Sequence, residues 1–120
     1  MTALSGNAIA SHMSTFTIYD LEKRIGERAA NASAEESYTR KLIDRGVAHC
    51  AKKFGEEAVE AVLAAVGEDR TRMTAETADV IYHLLIVLKA RGITLAEVEQ
   101  VLAERQSMSG LQEKALRKGT

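Results

Sequence analysis

Three glutamates, Glu56, Glu57 and Glu60, crowd little more than one helical turn. After fifteen intervening residues, Glu76 and Asp79 stand three apart. In a helix, residues three or four apart share a face with Cβ atoms about 5–6 Å apart, where like charges repel by some tenths of a kcal/mol. A short connection favours antiparallel packing of the two segments, which turns both acid sets toward each other. Four or five carboxylate oxygens then converge. Around a hard divalent cation such a cluster is favourable, and an oxygen-rich site that keeps waters suits Mg²⁺ or Mn²⁺. A second reading needs no metal. Glutamate and lysine are good helix formers, and Lys52–Glu56 and Lys53–Glu57 are i,i+4 pairs that make two of the acids surface ion pairs. The first reading gains from position: Glu76 and Asp79 lie on the front half of the most apolar helix in the chain.

That placement depends on a succession of helices. Ile18, Leu21 and Ile25 recur at helical spacing with Asp20 and Glu22 in front, predicting a first helix from about Ile18 to Ala30. Ser33-Ala-Glu-Glu36 is a capping-box pattern that opens a short second helix to about Arg45, before Gly46. Val47, Cys50, Ala51, Phe54, Ala58, Ala61, Val62 and Ala65 trace one stripe of a long third helix ending at Gly67. After a polar connection from Glu68 to Thr71, a fourth helix runs to about Arg91 and closes at Gly92. Thr94-Leu-Ala-Glu97 is another capping box and opens a fifth helix through about Arg105. The tail, residues 106–120, is polar and reads as either a frayed helix or disordered chain.

The 120 residues divide into 1–12, read as an expression leader before Met13, an all-α domain over 13–105, and that tail. The fold expected is a bundle of about five helices. The fourth helix is apolar around most of its circumference, through Val80, Ile81, Leu84, Leu85, Ile86, Val87 and Leu88. Such a helix needs cover on all sides, and a short chain has few helices to give it. A homodimer that completes the core is the economical solution.

Composition narrows the function. Sixteen basic residues against 17 acidic ones leave a net charge of −1, which argues against electrostatic adhesion to nucleic acid or an anionic membrane. Apolar residues make up 46% and aromatics only 4%, so the core is aliphatic. Proline is absent, which favours long helices. One cysteine, Cys50, excludes an intramolecular disulfide, and one Cys with three His argues against structural zinc. No apolar run approaches the ~20 residues of a membrane helix. A cytoplasmic protein is expected.

Glu56-Glu57-Ala-Val-Glu60 followed by Glu76-Thr-Ala-Asp79 resembles the EExxE…ExxD signature of the all-α, MazG-like nucleoside triphosphate pyrophosphatases. Within that superfamily, Ser37-Tyr-Thr-Arg-Lys-Leu42, Lys53-Phe-Gly-Glu-Glu57 and Glu76-Thr-Ala-Asp-Val-Ile-Tyr-His-Leu-Leu85 are similar to the phosphoribosyl-ATP pyrophosphatases of histidine biosynthesis. The likeness runs from about Ile18 to Arg105. It departs at Asn31-Ala-Ser-Ala-Glu-Glu36, where many relatives carry a proline.

The resemblance implies hydrolysis of phosphoribosyl-ATP to phosphoribosyl-AMP and pyrophosphate. It makes Glu57, Glu60, Glu76 and Asp79 the Mg²⁺ ligands, directly or through water. Glu56 and Glu57 are the catalytic candidates, with Glu56 a further ligand or the base that orients the attacking water. Like charges beside Glu56 raise its pKa toward that role. Lys53, with Lys41 as a weaker candidate, is placed to meet phosphate, or else Lys53 is a plain ion pair. Ser37, Tyr38 and Thr39 offer hydroxyls at a helix start, where free N–H groups also favour anions, or else serve as a cap and a core tyrosine. His83 shares Asp79's face, either beside the metal or as a buried, hydrogen-bonded structural histidine. Tyr82 is expected at the subunit contact rather than stacked on a base, and Arg24 and Arg28, one turn apart on the first helix, as exposed charge or else as groups reaching substrate from a neighbouring subunit. Two rival functions fit the same residues: a pyrophosphatase acting on other nucleoside triphosphates, and a non-enzymatic helical dimerisation module.

Overall fold

The structure is a computed structural model that describes residues 15–31, 33, 37–107 and 110–119. Residues 1–12, and most of the Ser33–Glu36 pattern, lie outside them. The described residues form six helices and no strand: α1 (Ile18–Asn31), α2 (Tyr38–Asp44), α3 (Val47–Val66), α4 (Arg70–Arg91), α5 (Leu95–Gln106) and α6 (Gly110–Gly119). The all-α expectation holds, with one helix added within the tail.

Local chemistry sets most of the boundaries. At the start of α1 the Thr17 N–H donates to the Asp20 carboxylate (2.8 Å) and the Asp20 N–H donates to the Thr17 hydroxyl (3.1 Å), a reciprocal cap. These bonds hold the Asp20 carboxyl below its usual range. The described part of the second helix starts later than Ser33: Ser37 caps α2, its hydroxyl accepting from the Arg40 N–H at 3.1 Å. Asp69 caps α4 by accepting from the Arg72 N–H, so the expected polar connection is shorter and Arg70 is already helical. Gly92 closes α4 in the left-handed region at φ 72°, where its N–H reaches the carbonyls of Leu88 and Lys89. The Thr94–Glu97 capping box is formed in both directions.

α3 and α4, joined by a tight connection at Gly67–Asp69, fold back on each other as the main hairpin. α1 and α2 pack across one end of it. The core lies at that end, where Ile25, Leu42, Cys50, Leu85 and Ile86 are buried together. Cys50 donates its thiol to the Leu42 carbonyl at 3.2 Å, and burial pushes its pKa up. α5 is tied in at its first turn, where the Leu95 N–H donates to the Glu22 carboxylate at 2.7 Å.

Two packing expectations are revised. Leu85 and Ile86 of α4 are covered by the chain's own helices, while Leu84 on the same helix stays 38% exposed. On α3 the packed face runs through Cys50, Phe54, Ala61 and Ala64, and Val62 and Ala65 point to solvent. The cause is that α4 covers one side of α3, a narrower strip than the apolar residues occupy. Val59, Val62, Leu63 and Val66 form a second stripe at i, i+3, i+4 and i+7, from 50% to 81% exposed.

Candidate metal centre

Glu57 shares the packed face of α3: it follows Phe54 by three residues and Cys50 by seven, close to whole turns. It is therefore carried toward α4, where Glu76 and Asp79 meet it. One carboxylate oxygen from each of Glu57, Glu76 and Asp79 lies within 4.8 Å of the others. Glu57 and Glu76 are half-buried, while Asp79 is exposed. The Glu76 carboxyl is pushed above its ordinary value, first by desolvation and then by the negative charges of Glu60 and Asp79, with Glu57 adding to them. No lysine or arginine pairs with any of the three among the described residues.

These donors fit a hard cation. All are carboxylate oxygens, and the oxygens of an Mg²⁺ octahedron with bonds of 2.0–2.1 Å lie about 3–4 Å apart. Modest side-chain rotation closes a spread of 4.8 Å to that span. Glu60 lies one turn beyond Glu56 on α3, exposed, and near enough to Glu76 to raise its pKa.

Glu56 behaves differently. It forms an ion pair with Lys53 at 3.2 Å, at i,i+3. The expected Lys53–Glu57 pair is not formed, because Glu57 turns into the helix interface and leaves Lys53 to its neighbour. The expected rise in the Glu56 pKa is reversed: the Lys53 hydrogen bond and charge hold it below the usual carboxylate range. Glu56 also raises Lys53, with smaller effects of Tyr38 and Glu57. The upward shift belongs to Glu76 instead.

His83 is buried (6% exposed), and burial lowers its pKa against the opposing pull of Glu57, Asp79 and Glu56. Its Nδ1 has no hydrogen-bond partner among the described residues, so the burial expected of it is present without the expected bond. Tyr38 is 52% exposed rather than a core tyrosine. Its ring stacks on Tyr82 at 6.4 Å and meets His83 edge-on at 6.2 Å. The Tyr82 hydroxyl shares a 2.7 Å hydrogen bond with Thr39, inside the chain. Ser37 is 2% exposed and its hydroxyl serves the α2 cap. Lys41 is exposed on α2. The Thr39–Tyr82 bond carried no signal in sequence, because the two residues are 43 apart and only the packing of α2 on α4 joins them.

A family model for phosphoribosyl-ATP pyrophosphohydrolase matches residues 18–106. A chain from Bradyrhizobium diazoefficiens named phosphoribosyl-ATP pyrophosphatase 1 is 63% identical over 106 residues, covering 88% of this chain and 99% of that one. One of the same name from Rhodopseudomonas palustris is 58% identical, covering 88% and 98%. A phosphoribosyl-ATP pyrophosphatase from Nitrobacter hamburgensis is 56% identical, covering 88% and 97%. The match spans α1 to the end of α5 and contains every acid of the cluster. The chain belongs to the phosphoribosyl-ATP pyrophosphohydrolase family, a family of hydrolases.

Proposed function

We propose that this chain hydrolyses phosphoribosyl-ATP to phosphoribosyl-AMP and pyrophosphate, the second step of histidine biosynthesis, in the cytoplasm and with Mg²⁺, for which Mn²⁺ can substitute. The observation that carries the reading is the convergence of Glu57, Glu76 and Asp79 in a chain of this family. Three acids without a basic partner are costly to hold together, and a reaction on a triphosphate gives them a use. Glu57, Glu76 and Asp79 would hold the cation, and Glu60, directly or through water, would be a further ligand. When bound, the cation neutralises phosphate charge and makes the attacked phosphorus more electrophilic.

The other residues position and screen. Glu56, held ionised by Lys53, accepts a hydrogen bond from the attacking water and aims it. Lys53 brings positive charge to the flank of the cluster for the phosphate chain. The exposed Tyr38 ring offers a flat surface beside it for the base. Two copies pair through the Val59, Val62, Leu63 and Val66 stripe of α3, which gives that stripe the cover α4 does not provide.

The test is pyrophosphate release from phosphoribosyl-ATP with Mg²⁺ or EDTA, beside ATP, dCTP and dUTP, with Glu57→Gln in parallel. Turnover of phosphoribosyl-ATP that needs Mg²⁺ and disappears in the variant supports the reading. Turnover of the simple triphosphates instead keeps the site and rejects the substrate. Inactivity of the folded protein on all four leaves a helical dimerisation module as the better account.

A further inference from the structure

The substrate proposed above is charged at both ends. Its triphosphate goes to the carboxylates and their cation. The other end is a phosphomonoester on the second ribose, which the acid cluster repels, so it needs positive charge elsewhere.

Beyond Tyr82, between α1, α2 and α4, lies a cavity of about 260 Å³. Arg24, Arg28, Thr39 and Tyr82 line it, over an apolar floor of Leu21 and Ile25. The volume is below the roughly 300–1,000 Å³ that encloses a drug-sized ligand, so it takes one end of a substrate and not the whole. Arg24 and Arg28 are one turn apart on α1, and no carboxylate lies within ion-pair distance of either among the described residues. Asp20, the acid one turn before Arg24, is bonded to Thr17. The Arg24 guanidinium lies over the Phe16 ring, 5.0 Å from its centroid, which restrains its position. Arg28 is close enough for its charge to act on the Tyr82 hydroxyl. Two guanidinium forks, with the one hydroxyl proton that the Thr39–Tyr82 bond leaves free, are a donor set matched to a phosphate.

The cavity is also placed correctly along the fold. Tyr82 follows Asp79 by three residues, about 4.5 Å along the α4 axis. The exposed Tyr38 ring, stacked on Tyr82, lies beside both. Other candidates fail on charge. Lys53 flanks the acid cluster and serves the triphosphate end, and Arg40 is paired with Asp44. The cavity at the C-terminal end of α4 is lined by the acidic Glu22 as well as by Lys89.

We propose that Arg24 and Arg28, with the Thr39 and Tyr82 hydroxyls, form a subsite for the phosphomonoester of the phosphoribosyl arm and so select phosphoribosyl-ATP over simple nucleoside triphosphates. The assignment rests on the substrate reading above. Its test is calorimetric binding of phosphoribosyl-AMP and of AMP to the full chain in EDTA, which reads the subsite without the cation. Wild type binds phosphoribosyl-AMP at least about tenfold more tightly than AMP, as charge-assisted hydrogen bonds to a phosphate require. Arg24→Gln and Arg28→Gln each shrink that gap, while Arg28→Lys keeps part of it. Circular dichroism verifies that each variant is folded. No preference in wild type, or a gap unmoved in both glutamine variants, overturns the subsite. Turnover of phosphoribosyl-ATP by the same wild-type sample separates the two failures. Turnover with an unmoved gap sinks the subsite alone, and an arginine-dependent gap without turnover sinks the substrate reading alone.

Discussion

Removing one charge from the acid cluster should move stability and catalysis in opposite directions. Glu76 is crowded by Glu57, Glu60 and Asp79, so Glu76→Gln relieves repulsion and raises the melting temperature in EDTA. The same variant should lose the stabilisation that Mg²⁺ gives wild type, and turnover should fall by about a hundredfold or more. Differential scanning calorimetry with and without Mg²⁺, together with an activity assay, checks both. The pH dependence follows from the same residue. A carboxyl whose pKa is raised by folding takes up its proton in the folded state first. Wild type in EDTA should therefore gain stability relative to Glu76→Gln as pH falls through the range just above the ordinary glutamate value of 4.5. His83 has the opposite sign. Its folded pKa is lowered, so its contribution is complete above 6.5 and is lost as pH falls below that value. An NMR titration of the His83 ring should give a midpoint below 6.5.

At the scale of the element, the caps of α4 and α5 carry stability separable from the site. Thr94 and Glu97 satisfy each other's backbone groups, and these bonds hold the Glu97 carboxyl below its usual range. Thr94→Ala should cost about 1 kcal/mol, read from urea denaturation, with turnover unchanged. Gly92→Ala should cost about 1–2 kcal/mol in the same measurement, because the φ of 72° is unfavourable to a residue with a Cβ. The helix starts show what local chemistry makes readable. Thr94-x-x-Glu97 is a strong signal and forms as expected. Thr17-x-x-Asp20 makes the same reciprocal cap with a shorter acid, outside the Glu/Gln pattern that marks a capping box in sequence. Ser33 and Ser37 both precede an apolar run, and only the packing of α2 across α3 and α4 selects Ser37 as the cap of the described helix.

For the whole molecule, the question is what covers α3. A stripe of four aliphatic residues, up to 81% exposed, is larger than isolated surface leucines or valines explain. Val62→Asp should place a charge in the proposed subunit contact and shift sedimentation from dimer to monomer. Val62 lies on the face of α3 turned away from α4, so helicity should be retained in the monomer. A monomeric wild type would remove the dimer from the account and leave the carboxylate site intact.

Much of this protein is determined by sequence alone. Five of the six described helices, most of their ends and the five acids depend on capping groups, glycines and spacings within a few residues, where chain connectivity dictates proximity. Family membership depends on the same short motifs. Tertiary structure decided what distance along the chain hides. It chose Glu57 for the interface and gave Glu56 to Lys53, because α4 covers only one strip of α3. It buried Leu85 and Ile86 inside the chain and moved the exposed apolar face to α3. It also joined Thr39 to Tyr82 and set Arg24 and Arg28 beside them, a juxtaposition no local pattern encodes because it arises only where α1, α2 and α4 meet.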